Sequence, residues 1–246
     1  MKNLIWVFLI SSFLTACGKE KSPVLVPPPG PPPQVLTEKS TAPKAIFNPM
    51  VDILFVLDDS KSMREELDVL RKNMQDFVAS FGKNPLIDYH IGAVKVHDST
   101  RYNNQVVKKF NPETKEIHYF EKGELIAPHG TDLSDPSASR FVTRNNSKDL
   151  LQSLFEFEAH WQQLDDVKVD KKTGEQTVLT YARGPEIEES FSPVKAALSS
   201  PALLGTSNRN FHRAGSHLVV IFVTDAEDSS PDFNPQQLFD FLFKLK

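Results

Sequence analysis

The sequence contains one cysteine and little surplus charge, and both shortages exclude classes of protein. With Cys17 as the only cysteine among 246 residues, no intramolecular disulfide can form, so the folded part must be stable through its core alone. A formal net charge of −4 provides no basic surface, which argues against a nucleic-acid partner. The apolar run at 4–14 is too short to cross a bilayer as a helix.

Several motifs of catalytic sites are also missing. The seven histidines show no His-x-x-x-His or His-Glu-x-x-His spacing, so a zinc site is not expected. There is no Gly-x-Ser-x-Gly nucleophile elbow and no Gly-x-x-x-x-Gly-Lys phosphate loop. These absences predict a protein that is not an enzyme.

The N-terminus is typical of a targeting segment. Lys2 supplies a positive charge ahead of the apolar run, which ends in Leu-Thr-Ala-Cys at Cys17. This ending resembles the lipobox of bacterial lipoproteins. The resemblance implies that 1–16 are a signal peptide, that the Cys17 thiol carries a diacylglyceryl group, and that the protein is anchored to a membrane. Gly18 stands where an Asp would favour inner-membrane retention, so an outer-membrane location is expected in a cell that has one. The alternative is an ordinary signal peptide with an incidental cysteine.

Residues 17–45 read as a proline-rich linker. Six of the seven residues at 27–33 are prolines, which have no N–H and a fixed φ, so the segment is predicted to form a polyproline II spacer. A PxxP ligand for a partner domain is the alternative. The linker leads into a folded domain predicted at 46–246.

The folded domain is predicted to be α/β. Residues 51–57 are almost continuously apolar and β-branched, which is typical of a strand buried on both faces of a parallel sheet. A helix follows at 63–81, and a second strand at 89–96 completes a right-handed crossover. A further buried strand is predicted at 218–224 and an amphipathic helix at 235–244. The pattern predicts an open, mostly parallel sheet with helices on both faces.

The middle of the chain, 105–176, reads as a less regular insertion. Residues 106–110 and 117–120 are predicted to form a hairpin, because the turn residues Asn-Pro-Glu lie between them. The apolar spacing at 150–164 predicts a helix on which Trp161 packs.

Two of the predicted buried strands end in an aspartate. The first runs into Asp58-x-Ser60-x-Ser62 followed by an amphipathic helix, and the second ends in Val-Thr-Asp at Asp225. Together these features resemble the metal-ion-dependent adhesion site of von Willebrand factor A domains. The resemblance covers about 47–244 apart from the insertion, and it implies a Rossmann-like fold of that family.

The resemblance also implies a chemistry. A hard divalent cation, Mg²⁺ or else Mn²⁺ or Ca²⁺, prefers oxygen ligands. The hydroxyls of Ser60 and Ser62 would bind it directly, while Asp58 and Asp225 would hold bound waters. The cation would keep an open position for an acidic group of a partner protein. The implied function is protein–protein interaction or adhesion by a surface or periplasm-facing lipoprotein. The alternative is a structural envelope lipoprotein whose metal only stabilises the loops.

A third loop departs from the family pattern. The family supplies a threonine shortly before a helix, and the corresponding helix predicted at 188–198, with Pro193 in its first turns, has none. Glu188 resembles the glutamate that some bacterial members carry there, and Ser190 or Ser192 would be the alternative source of a hydroxyl. A carboxylate would bind the cation more tightly and leave it less electrophilic.

Other interpretations of the acidic loops remain open. Ser62-x-x-Glu65 fits a helix capping box, and Asp59 has the charge that a helix N-terminus favours. Glu227 and Asp228 are expected to be solvated loop carboxylates, and the alternative is that they extend the acidic rim or bind a second cation. Phosphatases of the haloacid dehalogenase type also have an Asp between a strand and a helix, but they need a second acid at the position of Ser60.

The C-terminal part of the chain is shorter than the family fold, which continues beyond the second acidic loop with further helices and strands. Either the insertion supplies the missing sheet positions or the sequence is a truncated product. With truncation favoured, the sheet is expected to lack one or two edge strands and to expose an edge.

Overall fold

The structure is a computed structural model, and its described residues all lie in the unit Ile46–Lys246. They are 49–102, 106–135, 137–146, 148–156, 161–181 and 185–245. Cys17, the signal peptide predicted at 1–16 and the linker predicted at 17–45 lie outside the described residues. Within the described ranges, no helix is both long and apolar enough to cross a membrane.

Thirteen elements occur in the described residues, and strands predominate in the middle of the chain. In order they are β1 (Met50–Leu57), α1 (Arg64–Gly82), β2 (Asp88–Lys95), β3 (Val106–Phe110), β4 (Ile117–Glu121), β5 (Val142–Thr143), α2 (Lys148–Leu154), β6 (Gln162–Val169), β7 (Gln176–Tyr181), α3 (Phe191–Ser199), α4 (Pro201–Gly205), β8 (His217–Val223) and α5 (Pro235–Lys244).

The central sheet has the strand order β5-β2-β1-β8. Strand β1 pairs in parallel with both β2 and β8, while the short β5 pairs antiparallel with β2. The six residues from Asp52 to Leu57 are buried, as the apolar run predicted. The prediction of an open, mostly parallel α/β sheet is therefore confirmed.

Helices cover both faces of this sheet. On one face Ile53 and Phe55 pack with Met74 of α1 and with Leu151 and Leu154 of α2. The other face of β1 and β2 packs on α3 and α5 through a second cluster that includes Leu54, Val56, Val94, Val194, Leu198 and Leu238. Alternate residues of β1 thus enter two cores, which explains why its sequence is apolar throughout.

The predicted insertion forms a second sheet, with the strand order β4-β3-β6-β7 and antiparallel pairing. The β3–β4 hairpin confirms the prediction. The helix predicted to run to residue 164 is wrong beyond Leu154, because α2 ends there and β6 begins at Gln162. Trp161 lies at the start of β6, with its ring 5.9 Å from Phe120 in an edge-on contact. Its aromatic packing, and not a helix, accounts for the apolar residue at that position.

Strand β8 was predicted to be fully buried, and this is wrong. In the described part of the chain it pairs only with β1, so it stands at the edge of the sheet, and Val219 is 41% exposed. Helix α5 next in sequence matches its prediction, and Asn234 and Gln237 form a capping box at its start.

Candidate metal centre

The loop after β1 holds three of the predicted site residues in a tight turn. Asp58 is completely buried, and its Oδ1 accepts a 2.8 Å hydrogen bond from the Ser60 backbone N–H. Such an Asx turn reverses the chain within two residues. It brings the Ser60 and Ser62 hydroxyl oxygens to 2.9 Å from each other.

The loop after β8 is bonded to this turn. The Asp58 N–H donates to the Val223 carbonyl at 3.0 Å, and the Thr224 hydroxyl donates to Asp58 Oδ2 at 2.9 Å. Asp225, the predicted site residue, follows Thr224 and is exposed. The residue that contacts Asp58 directly is therefore Thr224, which the sequence motif contained but did not single out.

The third predicted acid, Glu188, lies in the electrostatic field of the other two. Burial raises the pKa of its carboxyl, and the negative charges of Asp58 and Asp225 raise it further. Like charges raise a carboxyl pKa in this way only at short range. Glu188 therefore lies close enough to Asp58 and Asp225 for their charges to affect its carboxyl, although it comes from the loop before α3 and not from the end of a central strand.

The loop that carries Glu188 is held by residues that sequence reasoning missed. His97 and Glu189 exchange backbone hydrogen bonds of 2.9 and 3.0 Å, and the Ser229 N–H donates to the Glu188 carbonyl at 2.9 Å. The buried Asp98 carboxylate accepts bonds from the backbone N–H groups of residues 186 and 187. Burial raises the pKa of Asp98, but these bonds and one from Thr100 outweigh it and lower the pKa.

Helix α3 starts later than predicted, at Phe191 instead of Glu188. The reason is that its first N–H groups bond to the loop after β8. Asp228 Oδ1 accepts from the backbone of Ser190 at 2.7 Å and of Phe191 at 2.9 Å. The expectation that Asp228 is a solvated carboxylate is therefore wrong. Pro193 lies in the first turn of α3, where a missing N–H is tolerated.

The hydroxyl of Ser190 differs from its neighbours. Ser190 is 2% exposed, and its Oγ has no hydrogen-bond partner among the described residues. Ser192 donates its backbone N–H to the Ser230 hydroxyl at 2.9 Å. Of the two serines named as alternatives to Glu188, Ser190 is the one with an unsatisfied buried oxygen.

The capping interpretation of the first loop does not match the structure. The Leu67 N–H donates to the Met63 carbonyl, so Met63 and not Ser62 precedes the first helical residue of α1. Asp59 forms an ion pair with Lys95 and lies 3.7 Å from Lys109 Nζ.

The separation of the two serine hydroxyls can be compared with metal geometry. In an octahedron with Mg²⁺–oxygen bonds of about 2.1 Å, adjacent ligand oxygens are about 3.0 Å apart. Ser60 Oγ and Ser62 Oγ are hydrogen-bonded to each other at 2.9 Å, a distance that is also close to that edge. No group of three or more His, Cys, Asp or Glu side chains suited to hold a metal occurs in the described ranges. The predicted acids Asp58, Glu188 and Asp225 therefore do not form such a group, and only the two serine hydroxyls lie at the spacing of neighbouring ligands.

Comparison with known proteins gives no match, whether with family models, curated proteins or solved structures.

Proposed function

We propose that this chain is an exported lipoprotein whose domain at 46–246 has a von Willebrand factor A-like fold and binds a divalent cation to grip an acidic group of a partner protein. The observation that carries the proposal is the pair of serine hydroxyls, Ser60 and Ser62, held 2.9 Å apart beside a buried aspartate.

The proposed ligands follow from the chemistry of each side chain. Ser60 and Ser62 contribute hydroxyl oxygens directly, and Asp58 and Asp225 act through bound water. Glu188 contributes a carboxylate, with Ser190 as the alternative on the same loop. Mg²⁺ is the expected cation, with Mn²⁺ or Ca²⁺ as substitutes, since all three prefer oxygen. When bound, the cation supplies positive charge with an open position for a carboxylate.

The electrostatics of the site support a cation. Burial and two neighbouring carboxylates raise the pKa of Glu188, which means that its ionised form is unfavourable in this setting. A divalent cation would remove that repulsion.

The arrangement of the strands supports the family assignment. The two acidic loops follow β1 and β8, which are parallel neighbours in the central sheet. Ligand sites of open α/β sheets lie at the carboxyl ends of such strands. The second antiparallel sheet is an addition to the expected pattern.

One observation favours the structural alternative, in which the metal only stabilises the loops. Both carboxylate oxygens of Asp58 already accept hydrogen bonds within the protein, from the Ser60 N–H and the Thr224 hydroxyl. These bonds hold the loops together without an external partner.

The metal site is tested by thermal unfolding of the full chain in chelator and in millimolar Mg²⁺, Mn²⁺ or Ca²⁺. Ser62 is exposed, so Ser62→Ala removes one ligand with little structural cost. The matched control is Ser80→Ala, an exposed serine near the end of α1. We expect a cation-dependent rise in Tm for the protein and for Ser80→Ala, and a much smaller rise for Ser62→Ala and for the Asp58→Ala, Ser60→Ala double variant.

An equal rise in all the variants, or none in the unchanged protein, would contradict the metal site. Adhesion and structural roles are separated by immobilising the chain and applying envelope proteins. Binding that needs Mg²⁺ and is lost in Ser62→Ala supports adhesion, whereas cation-dependent stability without any Mg²⁺-dependent binding supports the structural role.

A further inference from the structure

A wide cleft lies between the turn of the β3–β4 hairpin and the loop at 127–134. Its volume is about 620 Å³, and its described lining contains none of the predicted metal ligands. Small-molecule sites in proteins usually have volumes of about 300–1,000 Å³. The cleft therefore has the size of a ligand site and is separate from the candidate metal centre.

Both walls of the cleft are held in place by hydrogen bonds within the protein. In the hairpin turn, Asn111 Oδ1 accepts from the Glu113 N–H at 2.9 Å, and the Asn111 N–H donates to the Glu116 carbonyl at 2.9 Å. In the loop, the Thr131 hydroxyl donates to the Pro128 carbonyl at 2.7 Å. A ligand that enters a cleft with fixed walls loses little free energy to the ordering of the protein.

An indole ring forms part of the lining. Trp161 is half-buried, and its ring lies edge-on to the rings of His118 and Phe120, with centroids 6.1 and 5.9 Å away. The face of an indole ring carries partial negative charge, which attracts the weakly positive C–H groups of a saturated ring. The cleft thus contains an aromatic surface that suits a ligand with an apolar C–H face.

Carboxylates lie on both walls of the cleft. Glu116, in the turn, is exposed and accepts a 3.1 Å hydrogen bond from the Thr114 hydroxyl at Oε2. Asp132, in the loop, accepts at Oδ1 from the backbone N–H and the hydroxyl of Ser134. A carboxylate has about four acceptor positions, so both groups keep acceptor capacity for the O–H groups of a ligand.

The charges of the lining disfavour an anionic ligand. Apart from its histidines, the cleft has three charged acids, Glu113, Glu116 and Asp132, and one base, Lys115. An anion would be repelled by this excess of negative charge. All four side chains are exposed, so water screens their charges and they attract a cation only weakly. A neutral ligand with hydroxyl donors and an apolar face matches the lining best.

We propose that this cleft binds a neutral oligosaccharide. Trp161 packs against the C–H face of one sugar ring, while Glu116 and Asp132 accept hydrogen bonds from sugar hydroxyls. A sugar combines these two features in one molecule, whereas a peptide or an organic cation offers few hydroxyl donors beside an apolar ring face. Binding needs no divalent cation, so it does not depend on the candidate metal centre.

The fluorescence of Trp161 tests the proposal directly. The only other tryptophan of the sequence is Trp6, in the predicted signal peptide, so Trp6→Phe leaves Trp161 as the single source of indole emission. The full chain with this substitution is titrated in chelator with cellotriose, maltotriose and triacetylchitotriose. Choline and triglycine, at the same concentrations, represent cationic and peptide ligands.

We expect a saturable change in the emission with at least one of the trisaccharides, and none with choline or triglycine. The absence of a saturable response to all three sugars would overturn the proposal. An equal response to choline or triglycine would overturn it too, since the cleft would then not select a sugar.

Variants locate the bound sugar, with its affinity measured by calorimetry. Glu116→Ala should weaken binding by about tenfold or more, the change expected from losing one hydrogen bond to a charged group. The matched control is Glu175→Ala, which should leave the affinity unchanged. Glu175 is exposed and holds the same position in the β6–β7 turn, but it does not line the cleft.

The role of the indole ring is tested by two substitutions. Trp161→Ala should weaken binding at least as much as Glu116→Ala, and Trp161→Phe should restore part of the affinity because it keeps an aromatic face. Unaltered affinity in Glu116→Ala or in a folded Trp161→Ala protein, or an equal loss in Glu175→Ala, would overturn the proposal. Because Glu116 is exposed, its variant keeps the test decisive even where Trp161→Ala does not fold.

Discussion

Thr224 donates its hydroxyl to the buried Asp58 carboxylate over 2.9 Å, although the two residues lie 166 positions apart. The backbone bond from Asp58 to Val223 lies beside it. Together these two bonds hold the end of β1 and the end of β8 against each other. The candidate metal centre therefore depends on a residue that is not itself a predicted ligand.

Thr224→Val should destabilise the protein by about 1–3 kcal/mol, because it leaves a buried carboxylate oxygen without its donor. It should also reduce the rise in Tm caused by Mg²⁺. Urea unfolding measures the first effect and thermal unfolding the second. The control is Thr206→Val, whose exposed hydroxyl bonds only to a carbonyl of its own helical turn. Equal stability of the two variants would contradict the role of Thr224.

Asp228→Ala should lower the free energy of unfolding by about 0.5–2 kcal/mol, since its carboxylate accepts the first N–H groups of α3. Asp228→Asn keeps an acceptor oxygen and should lose less. Urea unfolding of both variants beside Asp232→Ala, which removes a nearby exposed acid, measures the difference. A loss no larger than that of the control would show that the cap is unimportant.

The stability of the protein should depend on Asp52 in acid. Burial raises the pKa of Asp52, but the His212 ring 3.4 Å away and hydrogen bonds from Arg213 and Ser216 outweigh it and lower the pKa from 3.8 to about 2. Because the folded pKa is the lower one, the carboxylate stabilises the fold above about pH 4, by about 2 kcal/mol, and this is lost as the pH falls towards 2.

Urea unfolding between pH 5 and about 2.5 measures this effect, and Asp52→Asn should remove the corresponding part of the pH dependence. The control is Asp76→Asn, on the exposed side of α1, because it also removes one negative charge. If the Asp52 variant and the control had the same pH dependence, the linkage assigned to Asp52 would be absent.

His97 should produce a second pH dependence in a different range. Burial, then the charge of Lys122, lowers its pKa from 6.5 to about 4, so the folded state favours the neutral ring. The stability is complete above about pH 6.5 and falls by about 3 kcal/mol as the pH drops through 4. His97→Gln should flatten this region in chelator, while His217→Gln, at an exposed position, should not. An unchanged profile in His97→Gln would contradict the assignment.

Cys17→Ser should abolish lipid attachment if the N-terminus is processed as proposed, because the hydroxyl cannot replace the thiol in that modification. Incorporation of labelled fatty acid and the share of protein in the membrane fraction measure the effect. Thr15→Ser, a conservative change two residues earlier, should retain both. Membrane association of Cys17→Ser equal to that of the unchanged protein would contradict the anchor.

The central sheet was predictable because its signals are local. The apolar run at Met50–Leu57 and the helical spacing of α1 each encode one element, and a parallel crossover follows from their order. The burial of β8 was overestimated because its composition is that of an interior strand, while its place at the edge depends on which strands pair with it.

The β6–β7 hairpin was missed although a signal was present. Its turn has Asp170 accepting from Lys172 and a positive φ at Gly174. The β3–β4 turn repeats this arrangement with Asn111 and Lys115. Recognising the shared Asx-x-x-Thr-x-Glu pattern would have identified both turns and excluded a helix to residue 164.

The candidate site was predictable only in part. Asp58, Ser60 and Ser62 stand in one short motif, and Asp225 ends a recognisable strand. The contacts of Thr224, Asp98 and Asp228 arise from tertiary packing between loops that are distant in sequence. No residue spacing in the sequence predicts them. The ion pairs of Asp59 were unpredictable for the same reason, since its two lysine partners lie on other strands, β2 and β3.

The position of β1 has a kinetic consequence. This strand lies between β2, which follows it closely in sequence, and β8, which arrives only after the entire second sheet. Closing so long a loop is slow, so one edge of an apolar strand stays open while the rest of the chain folds. Such an edge invites pairing with other chains. The pairing of β8 with β1 is therefore the folding step on which the yield of folded protein depends. The two acidic loops come together only when this pairing is complete.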